Sequence, residues 1–235
     1  MSDVEKVETT ESTVDRKELL AQQLSQARSK QERAVLRAPV LPIQSQAHAL
    51  PAQLLAALPF ELTAAQRRVV EEIAHDLARP VPMHRLLQGD VGSGKTVVAA
   101  LAAAQCMSAG WQCALMAPTE LLAEQHFRNL ANWMQPLLEP LGADIAWLAG
   151  GQNKRTRQEM LDRIADGRAW LVVGTHAVIQ AQVHFKQLGL AIIDEQHRFG
   201  VAQRLSLRQK NQAIAADALE PHLRSEEHTS ELQSH

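Results

Sequence analysis

An α/β fold, with a parallel β-sheet covered by helices on both faces, is what this sequence predicts. Three observations point to it. Gly89 to Thr96 read GDVGSGKT, between a short strand-like run and an Ala-rich helical run. Leu188 to Glu195 read LGLAIIDE, an apolar run ending in two acids. Elsewhere from Leu58 onward, short apolar runs alternate with longer stretches of helical period. Strands separated by helices need crossover connections, and these cover a parallel sheet on both faces.

The elements follow in order. Residues 1–16 are polar and acidic, nearly free of large apolar groups, and are expected to be disordered. Residues 17–37 carry helix formers, with Leu19, Leu20 and Leu24 on a partial apolar face. Pro39, Pro42 and Pro51 make the next stretch a linker or an extended strap, so residues 17–57 read as a helical and Pro-containing linker. The domain itself is expected over residues 58–223. Thr63 is a good N-cap for a helix over Ala64 to Ala78. His84 to Gln88, Trp111 to Ala117 and Ala169 to Val173 read as strands. Val97 to Met107, Thr119 to Leu138 and Gln152 to Ala165 read as helices.

GDVGSGKT fits the phosphate-loop pattern G-x-x-x-x-G-K-[ST] at every fixed position. Gly89, Gly92 and Gly94 let the backbone turn tightly and bring its N–H groups close to a polyphosphate. Asp90, Val91 and Ser93 complete the cradle. A helix beginning near Lys95 would add the positive end of its dipole. The Lys95 ammonium would reach the β- and γ-phosphates, and the Thr96 hydroxyl would ligate Mg²⁺. The expected ligands are therefore ATP and Mg²⁺. Such a loop needs a carboxylate on a neighbouring strand. Asp194 would hold Mg²⁺ through water, and Glu195 would orient and deprotonate the attacking water.

The acids continue as DEQH through Gln196 and His197. Here the chain resembles the superfamily 2 helicases, and within them the RecG family of ATP-dependent DNA helicases. LPFELTAAQ (Leu58 to Gln66), GDVGSGKT, MAPTELLAEQH (Met116 to His126), GTHA (Gly174 to Ala177) and IIDEQHRFGVAQR (Ile192 to Arg204) carry the resemblance. It extends from about Leu58 to about Leu223. The motor of the transcription-repair coupling factor is the nearest alternative, and Ser93 with Gln196-His197 favours RecG. A stand-alone nucleotide-binding module is the non-enzymatic alternative.

The resemblance implies a RecA-like domain and a set of site residues. Gln66 would hydrogen-bond the adenine edge, since an amide both donates and accepts. Phe60 would pack near the base. Pro118 and Thr119 would meet the nucleic-acid backbone at a helix start. Gly150-Gly151 and Gly174-Thr175-His176 lie at similar turns, so Gly151, Thr175 and His176 are DNA candidates. Lys154, Arg155 and Arg157 form a small basic cluster nearby. His197 would relay the nucleotide state to the DNA side. The implied partner is branched duplex DNA, remodelled at stalled forks and Holliday junctions by a monomer. A wedge domain and a second RecA-like domain, expected in the whole protein, have no counterpart in this stretch.

Composition excludes little. The chain has 235 residues, 46% apolar and 21% charged, with a net charge of −2. That is ordinary for a globular protein and does not advertise nucleic-acid binding. Cys106 and Cys113 lie in apolar runs and read as buried thiols. No apolar run approaches the ~20 residues of a membrane span, and no secretory signal is visible, so a cytoplasmic protein is expected. Arg224 to His235 read RSEEHTSELQSH, which resembles a translated sequencing adapter. Residues 224–235 are therefore expected to be a non-native tail. The resemblance implies a further core strand after Leu223, which would then be missing and leave an open sheet edge.

Overall fold

The computed structural model describes residues 37–88, 94–194 and 222–227. The elements run α1 (Leu50–Ala57), α2 (Ala64–Leu77), β1 (His84–Gln88), α3 (Lys95–Ser108) and β2 (Gln112–Met116). Then come α4 (Glu120–Leu138), a 3-10 turn (Glu139–Leu141), β3 (Asp144–Leu148), α5 (Lys154–Ala165) and β4 (Ala169–Gly174). A second 3-10 turn (His176–Ile179), β5 (Leu188–Ile193) and β6 (His222–Glu227) complete the set. The sheet order is β1-β6-β5-β2-β4-β3, and every neighbouring pair is parallel.

The period of two divides the strands between two cores. Cys113, Leu115, Leu171, Val173, Leu190 and Ile192 pack with α1 to α4 on one face. Ala114, Met116, Val172, Ala191 and Ile193 pack on the other, with Ile164 of α5, Val178 and Phe185. Because both faces are covered, β4, β5 and β2 after Gln112 are continuous apolar runs rather than alternating ones. Helix α3 is buried almost end to end, from Lys95 to Met107. Its alanines let it lie close to the sheet and to α1 and α2. Both cysteines are buried thiols, and burial together with the nearby Cys113 pushes the Cys106 thiol up.

Local chemistry accounts for the helix starts. The Thr63 hydroxyl accepts from Gln66 N–H at 3.2 Å, and the Gln66 side chain accepts from Thr63 N–H at 2.9 Å. This reciprocal capping box opens α2. Asn153 caps α5 by accepting from Thr156 N–H at 2.9 Å. Pro51 sits in the first turn of α1, where no N–H is required.

Two stretches at the margins of the domain take definite form. Residues 37–57, expected as a linker or an extended strap, are packed on the domain. Ala38 N–H bonds to Pro80 O and Leu41 N–H to Leu77 O, so the stretch is a strap along the end of α2. Leu41 and Leu54 are fully buried, and the buried Gln105 amide donates to Leu41 O at 2.7 Å. The prolines conceal this, because the strap is held without regular structure, by buried Leu41, Leu50 and Leu54 and by backbone N–H groups bonded to the end of α2.

The expected open edge is corrected. β6 fills the place between β1 and β5, pairing Leu86 with Ser225 and Ala191 with Leu223. Residues 224–227 of the expected non-native tail are therefore part of the sheet. The physical reason is that a ladder is made by backbone groups, which every residue but proline supplies. A gap there would leave two strands with unpaired edges in the middle of the sheet. His222 anchors this strand. It is fully buried, its Nδ1 accepts from Met83 N–H at 3.0 Å, and its Nε2–H donates to Pro39 O at 2.9 Å.

Candidate nucleotide and nucleic-acid site

A fully parallel sheet puts the carboxyl ends of all its strands along one edge, where ligands bind in open α/β folds. Each candidate group follows a different strand at that edge. The phosphate loop follows β1, Asp194 follows β5, Pro118-Thr119 follows β2, Gly174-Thr175 ends and follows β4, and Gly150-Gly151 follows β3. In sheet order the phosphate loop and Asp194 occupy one half, and the three candidate DNA turns occupy the other.

On the nucleotide side, Gly89, Asp90, Val91, Gly92 and Ser93 lie outside the described residues, as do Glu195 and His197. The end of the loop is described. Gly94 is the N-cap of α3 with φ 79° and ψ 26°, a left-handed backbone that favours glycine. A Cβ there would also overlap the Gln66 amide nitrogen. Gln66 thus lies against the end of the phosphate loop, with its carbonyl oxygen engaged in the capping box. Lys95 and Thr96 form the first turn of α3, so both stand at the positive end of its dipole. Lys95 is buried and Thr96 half-buried.

Asp194 is 3% exposed, and its N–H donates to Met116 O at 2.8 Å, which ties the β5 tip to β2. Its Oδ2 accepts from His126 Nε2 at 2.8 Å. Its Oδ1 is buried and has no hydrogen-bond partner among the described residues. A buried carboxylate oxygen left bare is costly unless a cation or water meets it. Asp194 and Thr96 are hard oxygen donors, and this donor set fits Mg²⁺.

On the other half, backbone bonds stitch the turns together. Ala117 N–H donates to Gly174 O at 3.0 Å, and Thr175 N–H donates to Leu148 O at 3.3 Å. Gly174 is required by close approach, since a Cβ would overlap the Leu148 carbonyl oxygen. Thr119 caps α4, its hydroxyl accepting from Leu122 N–H at 3.3 Å. The same hydroxyl keeps its own hydrogen to donate. Thr119, Gly151 and His176 are exposed and Pro118 half-buried. Thr175 is only 4% exposed. Gly150 N–H is taken by Glu120 Oε1 at 3.1 Å.

The basic cluster divides. Arg157 donates to Ala149 O at 3.2 Å and to Gln180 Oε1 at 2.7 Å, bracing the turn after β3. Arg155 pairs with Glu159 on an exposed face. Phe60 packs edge-on against Trp133 with centroids 6.0 Å apart and remains 44% exposed. Sequence reasoning missed His126. Its one available signal was helical spacing, since Ala123, His126 and Leu130 share the inward face of α4.

The DEAD/DEAH box helicase family profile matches residues 63–223. The ATP-dependent DNA helicase RecG of Escherichia coli strain K12 is 59% identical over 160 residues, 68% of this chain and 22% of that protein. The RecG of Acidithiobacillus ferridurans is 50% identical over 193 residues, 82% of this chain and 27% of that one. The chain thus spans about a quarter of the length of the curated relatives it matches. A structure of RecG bound to a three-way DNA junction superposes with a TM-score of 0.71 at 36% identity, over 90% of this chain and 26% of that one. The DEAD-box helicase Mss116 shares the fold, with a TM-score of 0.57 at 17% identity. The chain belongs to the DEAD/DEAH box helicase family, and the relatives it resembles at high identity are RecG helicases.

Proposed function

We propose that this chain is the ATP-binding motor domain of a protein that couples ATP hydrolysis to remodelling of branched DNA, including fork reversal and Holliday junction migration. The observation that carries the reading is the shared edge. Phosphate loop, metal carboxylate and three exposed helix or loop starts all stand at the carboxyl ends of parallel strands. Identity to RecG helicases and the junction-bound RecG supply the choice of DNA as partner.

The residues divide the work. Residues 89–96 cradle the phosphates with backbone N–H groups, and Lys95 neutralises them. Thr96 and Asp194 would hold Mg²⁺, which when bound would supply neutralisation of the phosphate charge. Glu195 takes the proton of the attacking water. Gln66 would hydrogen-bond the adenine edge. Pro118, Thr119, Gly151 and His176 would follow the DNA backbone through helix-start N–H groups and side-chain donors, and His197 would relay the nucleotide state. In longer relatives of this kind, a second domain would supply arginines to the transition state, a contribution of about 10³–10⁵ in rate. This chain alone is therefore expected to bind Mg-ATP weakly, turn it over slowly and leave DNA unwound.

A fluorescent ATP analogue titrated into the 235-residue chain tests this. Saturable, Mg²⁺-dependent binding is expected, lost in Lys95→Ala. Turnover strongly stimulated by branched DNA, at the rate of a complete helicase, would overturn the statement about the isolated chain. Absence of nucleotide binding in the folded wild type would overturn the reading itself.

A further inference from the structure

We propose that His126 is a positioning residue for the metal site: it holds the Asp194 carboxylate so that its second oxygen is presented to the cation. The inference rests on the reading of Asp194 as the Mg²⁺ carboxylate.

The geometry carries it. Asp194 caps the end of β5 with a side chain only 5% exposed. Its Oδ2 receives one hydrogen bond, from His126 Nε2 at 2.8 Å, and its Oδ1 receives none among the described residues. A carboxylate accepts only, so Nε2 carries the hydrogen. The imidazole is itself 13% exposed, lying on the inward face of α4 with Ala123 and Leu130. An uncompensated buried carboxylate rotates toward whatever donors it finds. With Oδ2 pinned by a ring on a rigid helix, the rotamer is chosen and Oδ1 is the oxygen left over. Carboxylates that ligate metals are commonly held in this way by a hydrogen bond to the non-ligating oxygen.

The contact also has a place in the fold. His126 lies seven residues after Thr119, about 10 Å along one helix at 1.5 Å per residue. The helix that Thr119 opens on the candidate DNA side is thus the helix that orients the metal carboxylate. No other side-chain hydrogen bond among the described residues joins Asp194 to α4.

Metal binding itself is the test. Mn²⁺ is titrated into the full chain saturated with ADP, and free Mn²⁺ is read by electron paramagnetic resonance. His126→Asn, too short to reach Oδ2, is expected to weaken Mn²⁺ binding by about 10-fold, at the low end for an outer-shell partner. His126→Gln, which still donates at that reach, is expected to stay within about threefold of wild type, by the same outer-shell argument. Metal-free ADP binding should be equal in all three. His126→Asn and His126→Gln both matching wild type would overturn the inference. So would equal weakening in both, since that would mean the ring's bulk and not its hydrogen bond is what matters. Asp194→Asn separates the two layers. If it leaves Mn²⁺ binding intact, the assignment of Asp194 as metal carboxylate fails. If it weakens binding while His126→Asn does not, only the role of His126 fails.

Discussion

Gly174 shows how a single missing side chain holds two strands together. It ends β4, and a Cβ there would overlap the Leu148 carbonyl oxygen of the neighbouring strand. Since the obstacle is backbone, β3 has to move rather than a flexible side chain. Gly174→Ala is therefore expected to cost about 1–3 kcal/mol, the usual range for overpacking. A urea unfolding curve checks this, and an unchanged midpoint would mean that the edge strand shifts freely. In the sequence this glycine is legible only as part of a turn. His126 is less legible still. A lone histidine in a helix carries no mark of a carboxylate 68 positions away, and the pair exists only because α4 packs beside the β5 tip. Thr175 carries a property its motif does not reveal: it is 4% exposed.

At the scale of elements, α4 joins the two halves of the site. Thr119 caps it at 3.3 Å, and Glu120 in the same turn holds Gly150 N–H. Thr119→Ala removes the cap and the hydroxyl together. The expected loss of stability is about 1 kcal/mol, accompanied by weaker binding of a branched DNA junction in an anisotropy titration. Thr119→Ser should restore both. Full DNA affinity in the folded Thr119→Ala chain would remove this residue from the interface. The helix and its cap were readable, because capping is local: Thr119 precedes a run of helical period, and the acceptor and donor lie three residues apart. The capping box of Thr63 and Gln66 is local in the same sense. It adds something the motif does not contain, namely that the Gln66 carbonyl is engaged in holding α2 before any ligand arrives.

At the scale of the whole molecule, strap, sheet and central strand meet at His222. Its neutral ring accepts from Met83 N–H on one side and donates to Pro39 O on the other. Burial lowers its pKa below the ordinary 6.5, the hydrogen bond to Pro39 offsetting part of this. The unfolded chain thus binds the proton more readily than the folded one. Stability from this group is complete above about pH 6.5 and declines as pH falls toward the lowered native value, because a protonated Nδ1 would face Met83 N–H donor to donor. The chain is expected to lose stability on acidification from about pH 7 to about pH 5 more steeply than His222→Gln. Denaturation midpoints of the two proteins across that range test it. Parallel pH profiles would show that other groups dominate. His222→Gln itself should be less stable than wild type near neutrality, since a buried backbone group left unpaired costs about 1–3 kcal/mol.

The sequence by itself determined the α/β alternation, the strand-loop-helix setting of GDVGSGKT and the apolar strand that ends at Asp194. Each is encoded in neighbouring residues, through hydrophobic period, capping chemistry and the glycines a tight phosphate loop requires. Tertiary structure alone decided the strand order, which sets β1 apart from β2, β4 and β3 and so separates the nucleotide side from the candidate DNA side. It also decided that the Pro-containing strap is packed on the domain, that residues 222–227 enter the sheet, and that His126 reaches Asp194. These are contacts between residues far apart in the chain, made by backbone groups common to all residues or by side chains whose partners no local pattern names.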